Sequence, residues 1–80
     1  MSDIGQVIAA NVRGERARRR LSQEDLGLRV GWTRQVVWQF ESGARVLKVT
    51  ELPALCRALD VSLFELTRGA DPDDIAAMGL

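Results

Sequence analysis

The sequence has no histidine and no tyrosine. The first absence removes the one side chain that ordinarily titrates near neutral pH, together with any histidine-ligated metal. A lone cysteine, Cys56, rules out an internal disulfide. It stands between Leu55 and Leu59 on an apolar helix face, where a buried structural thiol is expected in preference to a reactive one. There is no glycine-rich phosphate loop, and the carboxylates fall mainly at helix starts or on outer faces, where they serve capping and solubility. An enzyme is therefore not expected, nor a cofactor or metal ion. No run approaches the ~20 apolar residues of a membrane span. The opening MSDIGQVIAANVRG has neither a basic leader nor a long apolar stretch, so no secretory signal is expected and the cytoplasm is the default location.

Net charge is also missing, since 11 Lys and Arg balance 11 Asp and Glu. The balance is uneven along the chain. Residues 1–50 hold nine cations against five acids, whereas residues 51–80 hold two against six. A protein that meets phosphates on one face needs positive charge only there, although charges that merely solvate a surface give the same asymmetry. Eighty residues suffice for one small domain, near the lower limit for a fold held by an apolar core alone.

What is present is a sustained helical pattern. Asp3 and Gln6 have the spacing of a capping box, and Ile4, Val7, Ile8 and Val12 then form one apolar stripe of a helix running to about Arg19. Arg16, Arg18, Arg19 and Arg20 crowd its C-terminal end, a placement that suits the helix dipole. Ser22 caps a second helix with Glu24 and Asp25 in its first turn. From Gln23 to Gly43 the sequence reads as two short helices joined at Gly31-Trp32, with Leu26, Val30, Val37 and Phe40 on their inner sides. Gly27, in mid-helix, costs about 1 kcal/mol relative to alanine, so a side chain there is expected to hold the next helix away. Gly31 permits the reversal, and Thr33 caps the helix that follows. In that helix Val37, Phe40 and Glu41 point inward, which leaves Arg34, Gln35, Trp38 and Gln39 outward. This arc holds no carboxylate, and its guanidinium and amide groups match the edges of guanine and adenine.

After Gly43 the loop Ala44–Val49 carries Arg45 and Lys48. Its apolar Val46, Leu47 and Val49 would serve either core packing or a dimer seam. Thr50 is expected to cap a fourth helix whose inner face is Leu52, Leu55, Cys56 and Leu59, followed by a short fifth helix ending at Gly69. The domain is thus set at residues 1–69. Residues 70–80 form an acidic tail in which Asp71, Pro72, Asp73 and Asp74 give the start signals of a short sixth helix. Ile75, Met78 and Leu80 would then pack on the domain or on a second copy, and a frayed terminus is an equal alternative.

Gln23, Leu26, Gly27, Val30, Gly31, Val37, Phe40 and Glu41-Ser42-Gly43 together resemble the helix-turn-helix of the phage repressor and Cro-like (XRE) DNA-binding domains. Leu52-Pro53, Leu55, Leu59 and Val61–Leu66 extend the similarity into that family's fourth and fifth helices. The resemblance implies an all-α, five-helix bundle of the lambda-repressor type. It also implies a regulator, a repressor in the first instance, that occupies an operator as a homodimer on double-stranded DNA through a recognition helix at 33–42. Arg34 and Gln35 are the first candidates for base contact, then Gln39, with Trp38 and Thr33 beside them. Gln23, Ser22, Arg45 and Lys48 would contact phosphates, and Arg16 would pair with Glu41. Trp38 departs from the family's usual polar residue. It fits a DNA-side contact, a protein interface or partial burial, so a protein-interaction module such as an antitoxin or regulator-binding subunit, using Trp38 and the 44–49 loop, is the alternative. Trp32 is expected on the outside of the helix pair.

Overall fold

The computed structural model describes residues 3–80. Helix α1 (Ile4–Arg18) starts where the Gln6 N–H donates to Asp3 Oδ1 at 2.8 Å, so Asp3 supplies one half of the expected box. The helix ends in a reversal at Arg20, whose φ of 56° is left-handed and unusual for a non-glycine residue. Helix α2 (Gln23–Val30) has a complete capping box: the Asp25 N–H donates to Ser22 Oγ and the Ser22 N–H to Asp25 Oδ2, both at 2.9 Å. The bond from the Ser22 N–H, with the Ser22 hydroxyl beside it, holds the Asp25 carboxyl below its ordinary range.

Gly31, at φ 78°, closes α2 and turns the chain into α3 (Arg34–Glu41). Gly27 is buried in the same corner, where it has a double use. Its carbonyl accepts the Trp32 N–H at 2.9 Å, and a Cβ on it would collide with the Trp32 carbonyl oxygen. The expected obstruction therefore lies in the turn itself, one step before α3.

A 3-10 turn at Val49–Glu51 leads into α4 (Leu52–Leu59), and α5 (Leu63–Leu66) and α6 (Pro72–Ala77) follow. Thr50 is not the cap of α4, because it lies inside this turn. The Lys48 N–H donates to Glu51 Oε1 at 2.9 Å, which closes the turn ahead of α4, and no side chain caps α4 itself. Ser62 caps α5 through the Glu65 N–H at 3.1 Å, and Asp71 caps α6 through the Asp73 N–H at 2.8 Å.

The five helices α1 to α5 each send side chains to one core: Ile8, Ala9 and Val12, Leu26, Val37 and Phe40, Leu55 and Leu59, and Leu66. Each large member contributes about 1.5–3 kcal/mol by leaving water. Val30, Leu47, Leu52 and Cys56 pack at the edge, half-buried. Burial raises the Cys56 thiol above its ordinary pKa, which suits an inert packing role. Val46 and Val49 turn outward, 85% and 78% exposed, so only Leu47 of the apolar loop joins the core. Ile75 of α6 is half-buried, while Met78 and Leu80 remain exposed. The bundle of five helices thus carries a short sixth one, and no strand occurs among the described residues.

Candidate nucleic-acid interface

Helix α3 is rotated by its buried side. Val37 and Phe40 sit three residues apart at 0% and 1% exposure, and Thr33 Oγ1 accepts the Val36 N–H at 3.2 Å to fix the first turn. The opposite arc then faces solvent by helical geometry. Arg34, Gln35 and Trp38 are exposed, with Thr33 at their N-terminal edge, while Gln39 is half-buried. Trp38 is 56% exposed, which excludes a packing role for most of the indole. The arc carries donors and acceptors but no acid, so no internal carboxylate competes for Arg34.

The acid of this helix, Glu41, is turned toward α1. Arg16 Nε donates to Glu41 Oε2 at 2.6 Å and Nη2 to Oε1 at 3.0 Å, while Nη1 donates to the Leu21 carbonyl at 2.8 Å. The side chains are 15% and 4% exposed. Two parallel bonds between planar groups fix orientation as well as distance, and they raise the Arg16 guanidinium pKa further. Gln23 joins this cluster, its Nε2 donating to Glu41 Oε1 at 3.2 Å. The end of α1, the start of α2 and the end of α3 are therefore tied at one carboxylate.

The remaining phosphate candidates fall into two groups. Ser22 and Lys48 are exposed, although the Ser22 oxygen already accepts the Asp25 N–H. Arg45 is committed elsewhere: its Nη1 and Nη2 donate to Glu51 Oε1 and Oε2 at 2.8 and 2.6 Å, and its guanidinium lies 4.7 Å from the centre of the Trp32 ring. Trp32 in turn meets Phe40 edge-on at 5.4 Å. Trp32 and Arg45 thus form a stack that seats the loop on the end of α3. Arg45 is a brace with a compensated charge, where the sequence suggested a loop cation open to a phosphate.

Sequence reasoning missed a second buried acid. Glu15, 4% exposed, is met by Arg19, by Arg18 at 3.4 Å and by Arg68 at 3.3 Å. The hydrogen bond from Arg19, with the fields of all three cations, holds its carboxyl below the ordinary value. The arginine run at the end of α1 is therefore in part a clamp around this acid. Glu15 lies three residues after Val12 on the apolar stripe, and that spacing was the available signal. Two further ties had none. Asn11 Nδ2 donates to the Leu66 and Arg68 carbonyls at 2.6 and 2.9 Å, and Arg29 Nη1 to the Ala58 carbonyl at 2.9 Å.

A short capped helix held across its predecessor by a glycine turn, with a polar outer arc, is the arrangement of DNA-binding helix-turn-helix domains. Residues 7–68 match the family described as "Helix-turn-helix domain". The chain belongs to that family, in its phage repressor and Cro-like form. It is similar to the restriction-modification controller protein C.AhdI from Aeromonas hydrophila, with 32% identity over 74% of this chain and 86% of that one and a TM-score of 0.69. The hypothetical transcription factor NHTF from Neisseria shares 25% identity over 95% and 85% of the two chains, with a TM-score of 0.75. The clp gene regulator ClgR from C. glutamicum, 19% identical over 98% and 91%, has the same fold with a TM-score of 0.76. No curated protein matches at a significant level. The family is one of DNA-binding regulators rather than of enzymes. Among the described residues no helix is long and apolar enough to cross a membrane.

Proposed function

We propose that this domain is a sequence-specific transcriptional regulator that represses by occupying an operator as a homodimer. Helix α3 enters the major groove, where Arg34 and Gln35 read base edges, Gln39 and Trp38 extend the contact, and Thr33 meets a thymine methyl or a phosphate. Gln23, Ser22 and Lys48 set the register on phosphates, and Arg45 adds to them only as far as its pair with Glu51 allows. The carrying observation is the outward arc of α3, exposed and free of carboxylate on a helix whose orientation two buried residues and one ion pair determine. The likeness to a restriction-modification controller protein supports the reading. A domain this small covers too little surface to hold one half-site tightly at physiological salt, so two copies on half-sites about 10 base pairs apart are required.

Selection of bound sites from random duplex DNA tests this directly. Enrichment of an inverted repeat is expected, and failure to enrich any sequence overturns the proposal. The second reading, a module that binds a protein such as a toxin, is favoured by one observation: Trp38 and Val46 are both large, apolar and exposed. It predicts that Trp38→Ala abolishes a protein contact while Arg34→Ala leaves DNA retention unchanged.

A further inference from the structure

The cations of the chain divide sharply into spent and unspent ones. Arg16 pairs with Glu41, Arg18, Arg19 and Arg68 surround Glu15, and Arg45 pairs with Glu51. Arg13 makes none of these contacts and is exposed, although it lies on α1 one turn before Arg16. It borders a polar cleft of about 240 Å³ whose other walls are Arg16, Gln23, Trp38, Glu41 and Ser42.

Within this cleft Glu41 cancels Arg16, so the uncompensated charge is that of Arg13. The start of α2 supplies N–H groups without helical acceptors, the ordinary basis of anion binding. The Gln23 amide gives one hydrogen to Glu41, which leaves its second available and holds the group in one orientation. Trp38 forms the wall toward the outer arc of α3. A phosphate here would thus meet a full positive charge, an oriented amide and a helix start, next to the surface assigned to the groove.

We propose that Arg13 is a phosphate-contacting residue of the DNA interface, seating one backbone phosphate in the cleft between α1, α2 and α3. This rests on the DNA-binding reading and adds a residue of α1 to it. Arg13 carries the contact that the compensated Arg45 is poorly placed to make. Because the contact is to the backbone, it positions the domain and reads no base.

The test measures affinity for the selected site and for an unrelated duplex across a range of salt, using wild type, Arg13→Ala, Arg13→Gln and Arg13→Lys, with Arg57→Ala as a control cation on α4. Both neutral variants are expected to weaken the two duplexes alike and to flatten the salt slope by about 0.9 per bound protomer, about 1.8 for the dimer, so a fourfold rise in salt costs the variant dimer about 12-fold less affinity than it costs the wild type. Arg13→Lys restores the slope and Arg57→Ala leaves it unchanged. Thermal unfolding should be unaltered in every Arg13 variant, since no ion pair is lost. If wild type binds DNA and the neutral variants keep its slope, the Arg13 assignment fails while the DNA-binding reading survives. If wild type retains neither duplex, both fall.

Discussion

Two regions of this small domain use charge in opposite ways. At the end of α1 three of the four arginines are spent: Arg16 on Glu41, and Arg18 and Arg19 on Glu15, with carboxylates 4% and 5% exposed beneath them. Along the outer arc of α3, Arg34, Gln35 and Trp38 stand exposed with no acid between them. The difference separates architecture from recognition. A buried carboxylate must be compensated within the chain, whereas a group that reads an external partner is useful only if the chain leaves it uncompensated.

The strongest way to break the first region is Glu41→Ala. It leaves the half-buried Arg16 guanidinium without its acceptor and frees Gln23, and a loss of about 3–5 kcal/mol in urea unfolding is expected. A double-mutant cycle with Arg16→Ala should show strong coupling, and additive single effects would refute the pairing. Next comes Gly27→Ala. A methyl group there meets the Trp32 backbone, which has no rotamer to give way, so about 1–3 kcal/mol should be lost and α3 displaced. The second region should respond differently. Arg34→Ala is expected to leave unfolding unchanged while costing about 1–3 kcal/mol of discrimination at one base pair of the selected site.

A pH titration sharpens the contrast. Glu15 has a folded pKa below its ordinary 4.5, so its stabilisation is complete above that value and disappears as pH falls through the lower, folded one. Glu15→Gln should therefore cost about 1 kcal/mol at neutral pH, a modest figure because Arg18 and Arg68 are largely exposed, and the gap from wild type should close in acid. The smallest effect concerns the loop. Lys48→Ala should flatten the salt dependence of DNA binding by about one unit per bound protomer with no change in melting temperature, whereas Arg45→Ala should lower the melting temperature and leave that slope nearly unchanged.

Much of the fold was legible because its signals are local. Asp3, Ser22, Thr33 and Asp71 announced their helix starts, Gly31 its turn, and the spacing of Leu26, Val37, Phe40, Leu55 and Leu59 the inner faces. Thr50 misled because the chain enters α4 through a 3-10 turn: Thr50 lies within that turn, which the Glu51 side chain closes onto the Lys48 N–H.

By itself, then, the sequence determined which segments are helical, which apolar residues of α1 to α4 face inward and which chemistry the outer arc of α3 presents, since each depends on residues within a turn or two of one another. Beyond the Arg16–Glu41 pair that the resemblance implied, only the tertiary structure decided which charges are spent. Glu15 with Arg68, Arg45 with Trp32 and Arg13 with the cleft at Gln23 are matters of distance between segments far apart in the sequence. An arginine looks the same in a sequence whether a carboxylate or open solvent lies against it.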